Sequence, residues 1–451
     1  MAASQGLQTA LNYMREMSVK EGRVYHQFIP VVTDTTTIGE WGAPILDPAN
    51  TNVLNDFVSL LCKVLYTGVY NMIWDDSPLA GLEGERMPLG KFIEDVYVNP
   101  AKSRQFDVND FAGLLHKYEA EVATQYFAVN SDKQYCVTVT RDKIRNAFTS
   151  WENLEELISG YINSLYNGAY YDRYNDTKAL ITGAYKGNRA HIETVSAVSS
   201  EATAKALVQK IRAAYSKMKI PGTKYNAWDQ VRGDGLKLKT WTRPENLVVF
   251  ISSDVDALVS TELLARAFNM SETDFRAKVI VLDDFNIYDQ EGNVAVDGSA
   301  IQAVIADRAW FKIKTQDFDM SDFWNPNNRT WQYYLNDVRM YQTSLFANCL
   351  ICASAAPTVD ATAITATPDA VTVTAGEDVY VDAITTPANS TATVTVATSA
   401  DSYATATISG RKVKIHGVAE GSATITVTAT NADTTTVTDT ISVTVSAATS
   451  A

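Results

Sequence analysis

The sequence predicts an α+β domain up to Cys352, followed by an all-β sandwich of immunoglobulin type. Two observations predict this division. The composition changes near Cys352: aromatic and charged side chains are common before it, whereas the chain after it consists mostly of Thr, Val, Ala and Ser. Before this point, residues 142–181 contain no proline and carry apolar side chains three and four positions apart, which is the pattern of one helix face.

The C-terminal part is predicted to begin after a linker at residues 353–361, which are mostly small and include one proline. Residues 362–447 alternate apolar and polar side chains in short runs that end in Gly, Asp or Asn, a pattern typical of a sandwich. This part resembles the bacterial immunoglobulin-like group-two module, with Gly410, Gly417 and Gly421 at turn positions of that family. The resemblance implies a surface or contact module and does not identify its partner.

The composition excludes several classes of function. The formal net charge of the 451 residues is -14, and nucleic-acid affinity comes mainly from Lys and Arg, so direct phosphate binding is not expected. The N-terminus lacks the basic and apolar regions of a signal peptide, and no apolar run is long enough to span a bilayer. We therefore expect a protein made in a cytoplasm, without a membrane partner. Four scattered cysteines argue against a disulfide framework.

The apolar pattern of residues 142–181 predicts one helix of about 60 Å, long enough to serve as the spine of a flat, extended subunit. The alternative is two helices, broken near Gly160 or Gly168. A second helix is predicted from Glu201 to Lys219, followed by strand, helix and strand in a compact mixed α/β unit. Periodicity leaves open whether residues 333–356 form strand or helix.

Residues 81–118 interleave Gly, Pro and charges with aromatic side chains, and Asn99 and Pro100 are typical turn residues. The pattern predicts a long two-stranded excursion that cannot bury its own apolar side chains. Such an excursion needs a neighbour to lie upon, and that neighbour can be another subunit. The alternative is an ordinary surface hairpin.

The search for catalytic or metal-binding motifs finds none. Neither a phosphate-cradling loop nor a metal-ligand spacing among the four histidines occurs. Cys349 and Cys352 are separated by apolar residues, so two buried thiols are the better interpretation. The acidic stretch from Asp283 to Glu291 lacks the glycine and the oxygen ligand of a calcium loop, and a carboxylate-rich strand end explains it better. We predict no catalytic residues, no cofactor, no metal site and no enzyme activity.

Three stretches resemble the major capsid protein of small short-tailed bacteriophages that package a linear, protein-capped genome. They are Met87–Asp107, Phe148–Asp172 and Leu263–Phe285. The resemblance implies the Hong Kong 97-type phage capsid fold, with the group-two immunoglobulin-like domain after it. The implied parts are an N-terminal arm at 1–50, a capsid-fold domain at 51–352, and within it an extended loop at about 81–118, a spine helix at about 142–181 and an axial domain at about 191–319.

The resemblance also implies what the protein does. It implies pentamers and hexamers that assemble into an icosahedral or prolate shell around the double-stranded DNA of a tailed phage, with no sequence-specific DNA binding. A scaffolding protein and a portal at one vertex would be partners, and the arm and loop would reach neighbouring subunits. The expected location is the virion, after assembly in the host bacterial cytoplasm. Some proteins with this fold crosslink through Lys and Asn, but Lys91 and Lys102 are predicted to be ordinary solvated side chains.

We predict that contacts between subunits are made by residues of the extended loop. In that loop, Gly90 is a candidate for positive φ, and Glu94 with Arg104 is a candidate ion pair at the rim. Leu89→Asp or Phe106→Asp is expected to leave the monomer folded and to block assembly. The predicted contact residues are Pro88, Leu89, Gly90, Lys91, Glu94, Tyr97, Arg104 and Phe106.

Three other functions remain as alternatives at this point. A bacterial surface or adhesion protein could carry the immunoglobulin-like module, although a signal peptide and further copies of the module are lacking. A cytoplasmic enzyme with an accessory carbohydrate-binding sandwich would need a catalytic constellation. An encapsulin-like compartment protein would not be expected to carry the C-terminal sandwich.

Overall fold

The computed structural model describes residues 5–68, 77–87, 92–103, 117–140, 148, 150–259, 279–289, 291–328 and 330–447. Contacts divide the chain into two compact units. The first comprises residues 1–93, 127–177 and 313–341, and the second comprises residues 94–126, 178–312 and 342–451. The helices are α1 Gln5–Lys20, α2 Tyr25–Phe28, α3 Ile38–Leu46, α4 Thr51–Gly68, α5 Trp151–Lys186, α6 Glu201–Met218, α7 Trp228–Arg232 and α8 Ser253–Leu258.

Twelve strands precede the C-terminal sandwich in the described residues. They are β1 Phe92–Val98, β2 Val122–Ala128, β3 Ser131–Thr140, β4 His191–Thr194, β5 Leu247–Ser252, β6 Val279–Leu282, β7 Ile287–Tyr288, β8 Val294–Val296, β9 Ile301–Asp307, β10 Phe311–Asn325, β11 Thr330–Thr343 and β12 Cys349–Ala353.

The predicted spine is one continuous helix. Helix α5 has 36 residues, which corresponds to about 54 Å, and both Gly160 and Gly168 lie inside it. The alternative of two helices is therefore wrong. The helix ends at Lys186, five residues later than predicted, where Asn188 takes a left-handed conformation with φ of 47°. Its predicted start falls in residues 141–147, which lie outside the described residues.

The N-terminal residues form helices that pack within the first unit. Helices α1 to α4 bury apolar side chains such as Leu11, Trp41 and Phe57 in one core together with Leu165 of α5 and Trp331 of β11. The amphipathic helices within residues 5–50 therefore bury apolar side chains within their own unit, and a reach of this N-terminal arm to neighbouring subunits stays a prediction. Helix α3 begins with a capping box, in which Thr37 and Glu40 exchange hydrogen bonds. The same unit contains a three-stranded sheet in the order β10-β11-β3.

A five-stranded mixed sheet organises the second unit, in the order β4-β12-β9-β5-β6. Strand β9 is antiparallel to both of its neighbours, whereas β4 pairs with β12 and β5 with β6 in parallel. Helix α6, predicted at Glu201–Lys219 and found at Glu201–Met218, packs on this sheet through residues such as Leu207 and Ile211. The open question at residues 333–356 is settled, since β11 and β12 are both strands.

The C-terminal residues form the predicted all-β sandwich. The sheets have the orders β13-β15-β18-β17 and β14-β20-β19-β16, and Val381, Ile415, Val427 and Ile441 lie in the core between them. The alternation of Thr with Val, Ile and Ala builds this core, because every second side chain along a strand points inward. The strands are β13 Ala363–Thr367, β14 Ala370–Thr374, β15 Asp378–Thr386, β16 Thr393–Thr398, β17 Ala404–Ser409, β18 Lys412–Gly417, β19 Gly421–Thr430 and β20 Thr436–Ser446.

Candidate intersubunit contact site

The candidate contact site is a two-stranded ribbon formed by β1 and β2. Side chains alternate between its two faces, so one face of the ribbon is exposed and the other is covered. The exposed fraction is 70% for Phe92, 56% for Val96 and 62% for Tyr126. Val98 and Val122 are exposed as well. We call the face formed by Phe92, Val96, Val98, Val122 and Tyr126 the outer ribbon face.

The opposite face of the ribbon packs against other residues of the second unit, to which residues 94–126 belong. The ring of Tyr97 stacks on Phe346 with 5.7 Å between the ring centroids, and its hydroxyl donates a hydrogen bond to the carbonyl oxygen of Lys239. Burial raises the pKa of Tyr97. The side chain of Gln125 donates to the carbonyl of Thr343 at 3.0 Å and accepts from the backbone N–H of Leu345 at 2.8 Å. These contacts fix which face of the ribbon is left exposed.

The structure describes two of the predicted contact residues. Glu94 is exposed and accepts a hydrogen bond of 3.1 Å from the Tyr126 hydroxyl, and this carboxylate raises the pKa of Tyr126. Tyr97 lies on the covered face, against its own chain. Its role between subunits stays a prediction, as does the ion pair of Glu94 with Arg104. The residues that lie outside the described residues are Pro88, Leu89, Gly90, Lys91, Arg104 and Phe106.

Sequence reasoning missed most of the outer ribbon face, because it misplaced the second strand. The predicted excursion ended at residue 118 with a turn at Asn99 and Pro100, whereas β1 pairs with β2, which begins at Val122. Asn99 binds other segments instead: its side chain accepts from the N–H of Lys239 at 2.9 Å and donates to Glu121 at 2.8 Å. The signal that could have located β2 is the alternation in residues 122–128, where Val122 and Tyr126 share one face.

Elsewhere in the second unit, a buried cation joins α5 to the end of β6. The Lys178 side chain is fully buried, and its Nζ lies 3.1 Å from both carboxylate oxygens of Asp283 and 3.0 Å from Asp284. Asp284 also accepts hydrogen bonds from the Tyr288 hydroxyl and from the N–H of Asn286. Burial opposes the charge of Asp284, but the hydrogen bonds from Tyr288 and Lys178 outweigh burial and lower its pKa. The predicted carboxylate-rich strand end thus binds a buried lysine, and we call Lys178, Asp283 and Asp284 together the charge anchor.

The immunoglobulin-like module is also anchored by a cation. The guanidinium of Arg411 donates to the carbonyl and carboxylate of Asp229 at 2.8 and 3.1 Å, and to the carbonyls of Gln230 and Ala388, both at 3.1 Å. Beside it, the Asn188 side chain donates to the carbonyl of Asn389 at 2.8 Å. These hydrogen bonds attach the module to α7 and to the turn after α5, and we call them the polar seat of the module.

We expect Arg411→Ala to loosen this seat without unfolding the module. Hydrogen bonds to charged groups contribute about 1.5–3 kcal/mol each, and the Ala variant removes those of one guanidinium. Hydrogen exchange should become faster at residues 229–235, while the strands of the module keep their protection. Lys412→Ala is the matched control, because Lys412 is an exposed neighbour that pairs only with Asp382 at 2.7 Å among the described residues. Unchanged exchange in Arg411→Ala would show that the seat does not depend on this side chain.

The two cysteines that the motif analysis set aside lie in the protein core. Cys349 and Cys352 are buried in β12, as predicted, and burial raises the pKa of Cys352 to about 12. At neutral pH this thiol is not ionised.

Among the described residues, no group of three or more His, Cys, Asp and Glu side chains is arranged to hold a metal ion. No described helix is both long and apolar enough to cross a membrane.

Comparison with known proteins decides the family. The model of a family described as Phi29-like phage major capsid protein matches residues 11–353, which is most of the chain. The chain belongs to this family. A second model, described as bacterial Ig-like domain (group 2), matches residues 360–441 of the capsid protein. Both resemblances predicted from the sequence are confirmed. The protein is therefore a phage major capsid protein and a structural component of the virion, and its family is not one of enzymes.

Individual relatives agree with this family. The capsid protein is 28% identical over 349 residues to the major capsid protein of Bacillus phage PZA, covering 77% of this chain and 73% of that one. It is also 28% identical over 330 residues to the major capsid protein of Bacillus phage B103, covering 72% and 69%. A chain in the capsid structure of Staphylococcus phage Andhra shares the fold with a TM-score of 0.50 and 14% identity, over 62% of this chain and 84% of that chain. The predicted phage capsid fold is confirmed.

Proposed function

We propose that this capsid protein assembles as pentamers and hexamers into a closed icosahedral or prolate shell, which encloses the double-stranded DNA of a tailed phage. The observation that carries the proposal is the outer ribbon face, a row of exposed apolar side chains on a subunit whose family builds capsids. The chain itself covers one face of the ribbon and leaves the apolar outer face exposed, and an exposed apolar patch of this kind marks an interaction surface. A neighbouring subunit supplies that partner in a shell.

Assembly in the host cytoplasm with a scaffolding protein and a portal at one vertex completes the proposal. The shell encloses DNA without sequence-specific contacts and catalyses no reaction. Many modest contacts repeated over a closed shell give high stability, because each new subunit is held by several neighbours at once. A net charge of -14 limits adhesion between shell and DNA.

Electron microscopy of the purified protein tests the proposal, with and without the scaffolding protein of its phage. We expect closed polyhedral shells, or rings of five and six subunits, and density for the immunoglobulin-like module on each subunit. Small soluble monomers under every condition, with scaffolding protein present, would count against the proposal.

A further inference from the structure

Charge is distributed unevenly along the sheet of the second unit. Residues 205–243 contain ten Lys or Arg and two Asp or Glu, a net charge of +8 in a protein of net charge -14. Residues 245–307, which follow directly, contain twelve Asp or Glu and three Lys or Arg, a net charge of -9. Two adjacent segments of one unit therefore carry large and opposite charges.

Part of the positive charge lies at the β4 edge of the five-stranded sheet, where Glu193 pairs with both Lys210, at 3.8 Å, and Lys224. Helix α6 exposes Lys210, whose Nζ donates to the carbonyl of Thr194 on β4 at 3.2 Å, and Lys217, which lies two helical turns further on the same side. Lys224 binds Glu193 of β4 at 2.6 Å. Within the described part of the chain, Lys217 has no carboxylate within 4 Å. We call the surface formed by Lys210, Lys217 and Lys224 the basic edge.

Part of the negative charge lies after β5 and β6 of the same sheet, where Asp283 pairs with Lys178. Asp254 and Asp256 on α8 follow β5, and Asp283 follows β6, the last strand of the sheet. Asp254 is exposed and Asp256 is half-exposed. In the described residues, neither forms an ion pair. We call the surface formed by Asp254, Asp256 and Asp283 the acidic edge.

Helices α6 and α8 pack on the same face of the sheet, but the strands beside the two charged surfaces are separated within it. Strand β4 lies three strand spacings from β5 and four from β6, which corresponds to about 14–19 Å between the strands beside the basic edge and those beside the acidic edge. A subunit with opposite charges on opposite edges is complementary to a second copy of itself placed head to tail. Such a heterologous contact closes into a ring when the rotation between copies divides a full turn.

We propose that the basic edge of each subunit faces the acidic edge of the next copy around the rings of the shell. The proposal rests on the proposed assembly and names the surfaces that meet in it. Charge complementarity favours a second copy over nucleic acid as the occupant, because DNA would engage the basic edge and leave the acidic edge without a partner. Complementary charges steer association and suppress wrong registers, since like charges brought together in an interface are strongly unfavourable.

Charge reversal in the full-length protein tests this directly. One variant carries Lys210→Glu and Lys217→Glu, and another carries Asp254→Lys and Asp256→Lys. Each alone brings like charges together, so we expect the concentration needed for ring formation to rise by at least ~100-fold. Both pairs combined in one chain should restore pentamers and hexamers. Circular dichroism of the subunits, together with mass photometry and electron microscopy of the assemblies, provides the readouts.

A mixture of the two reversed proteins gives a sharper test. Opposite edges match when the two proteins alternate, which is possible around a six-membered ring and impossible around a five-membered one. The mixture should therefore give hexamers without pentamers. The control is Lys412→Glu with Lys414→Glu on the module, which changes the net charge as much as the basic-edge variant and should assemble normally.

Several outcomes would overturn the proposal. Single reversals that assemble like the wild type, or a combined variant that fails to recover, would show that the edges do not meet. A basic-edge variant that builds normal shells but retains less DNA would assign that edge to nucleic acid instead. If the wild type itself forms no rings beside its scaffolding protein, the proposed function fails, which is a result distinct from the loss of assembly in the variants alone.

Discussion

Replacing Asp283 and Asp284 together with asparagine is expected to lower the free energy of unfolding by about 3–5 kcal/mol, the effect of leaving a buried charge without its partner. The reason is an asymmetry within the anchor. The Lys178 side chain is completely buried, whereas 55% of the Asp283 side chain is exposed. Without the carboxylates, the ammonium must either stay charged out of water or lose its proton. Both options destabilise the fold.

The converse variant, Lys178→Met, serves as the matched control. It leaves two carboxylates that water can reach, and its side chain still fills most of the space of the lysine stem. We therefore expect a smaller loss of stability than in the double asparagine variant. Urea unfolding of the subunit below its assembly concentration measures both. A larger loss in Lys178→Met would show that packing, rather than the charge of Lys178, dominates this site.

The same anchor has a defined dependence on pH. Because the pKa of Asp284 is lowered in the folded protein, the carboxylate contributes stability above its unfolded pKa, near 4, and that contribution is lost as the pH falls through the folded value. The free energy of unfolding of the wild type should therefore fall on acidification below about pH 4. That of the double asparagine variant should fall less over the same range.

The sequence allowed good prediction where a local pattern determines the structure. Residues 142–181 read as one helix because their apolar face is continuous and no proline interrupts it, and Gly160 and Gly168 were tolerated inside it. Residues 362–447 were assigned to a sandwich because alternation and turn residues act over a few positions. Cys349 and Cys352 were assigned to a core because the residues between them are apolar, and β12 indeed lies inside the sheet.

Prediction failed where distant residues decide the outcome. The partner of β1 is β2, which begins at Val122, whereas the turn residues Asn99 and Pro100 predicted a second strand directly after β1. The packing of the N-terminal helices could not be predicted, because the core they share with Leu165 and Trp331 involves residues far along the chain. Likewise, nothing near Lys178 or Arg411 in the sequence announces Asp283 or Asp229 as partners. Long-range ion pairs leave no periodic signal.

Contacts that hold the ribbon within the subunit also matter for assembly, because a subunit must present its contact surfaces in a fixed orientation. Tyr97 and Gln125 hold the covered face of the ribbon against the subunit, so its apolar outer face is ordered and exposed. A rigid apolar surface that is already ordered before binding loses little conformational entropy on association. The outer ribbon face should therefore contribute strongly to contacts between subunits.

Val96→Asp is accordingly expected to abolish shell formation while leaving the subunit folded. Val96 is 56% exposed, so the free energy of unfolding should change by no more than about 0.5 kcal/mol. In an interface, however, the new carboxylate would be removed from water, and the apolar contact that the valine makes would be lost. Both costs are repeated at every copy of the subunit in the shell. Electron microscopy and sedimentation measure assembly, and thermal unfolding measures the fold.

Val418→Asp provides the comparison, since Val418 is an exposed valine on the immunoglobulin-like module with 46% of its surface accessible. The substitution adds the same charge at a place outside the ribbon. If only Val96→Asp stops assembly, the cause is the position on the outer ribbon face rather than one more negative charge on an acidic subunit. Normal shells from Val96→Asp would mean that the ribbon's apolar face lies in solvent in the capsid, and the contact would have to be sought in the loop beyond it.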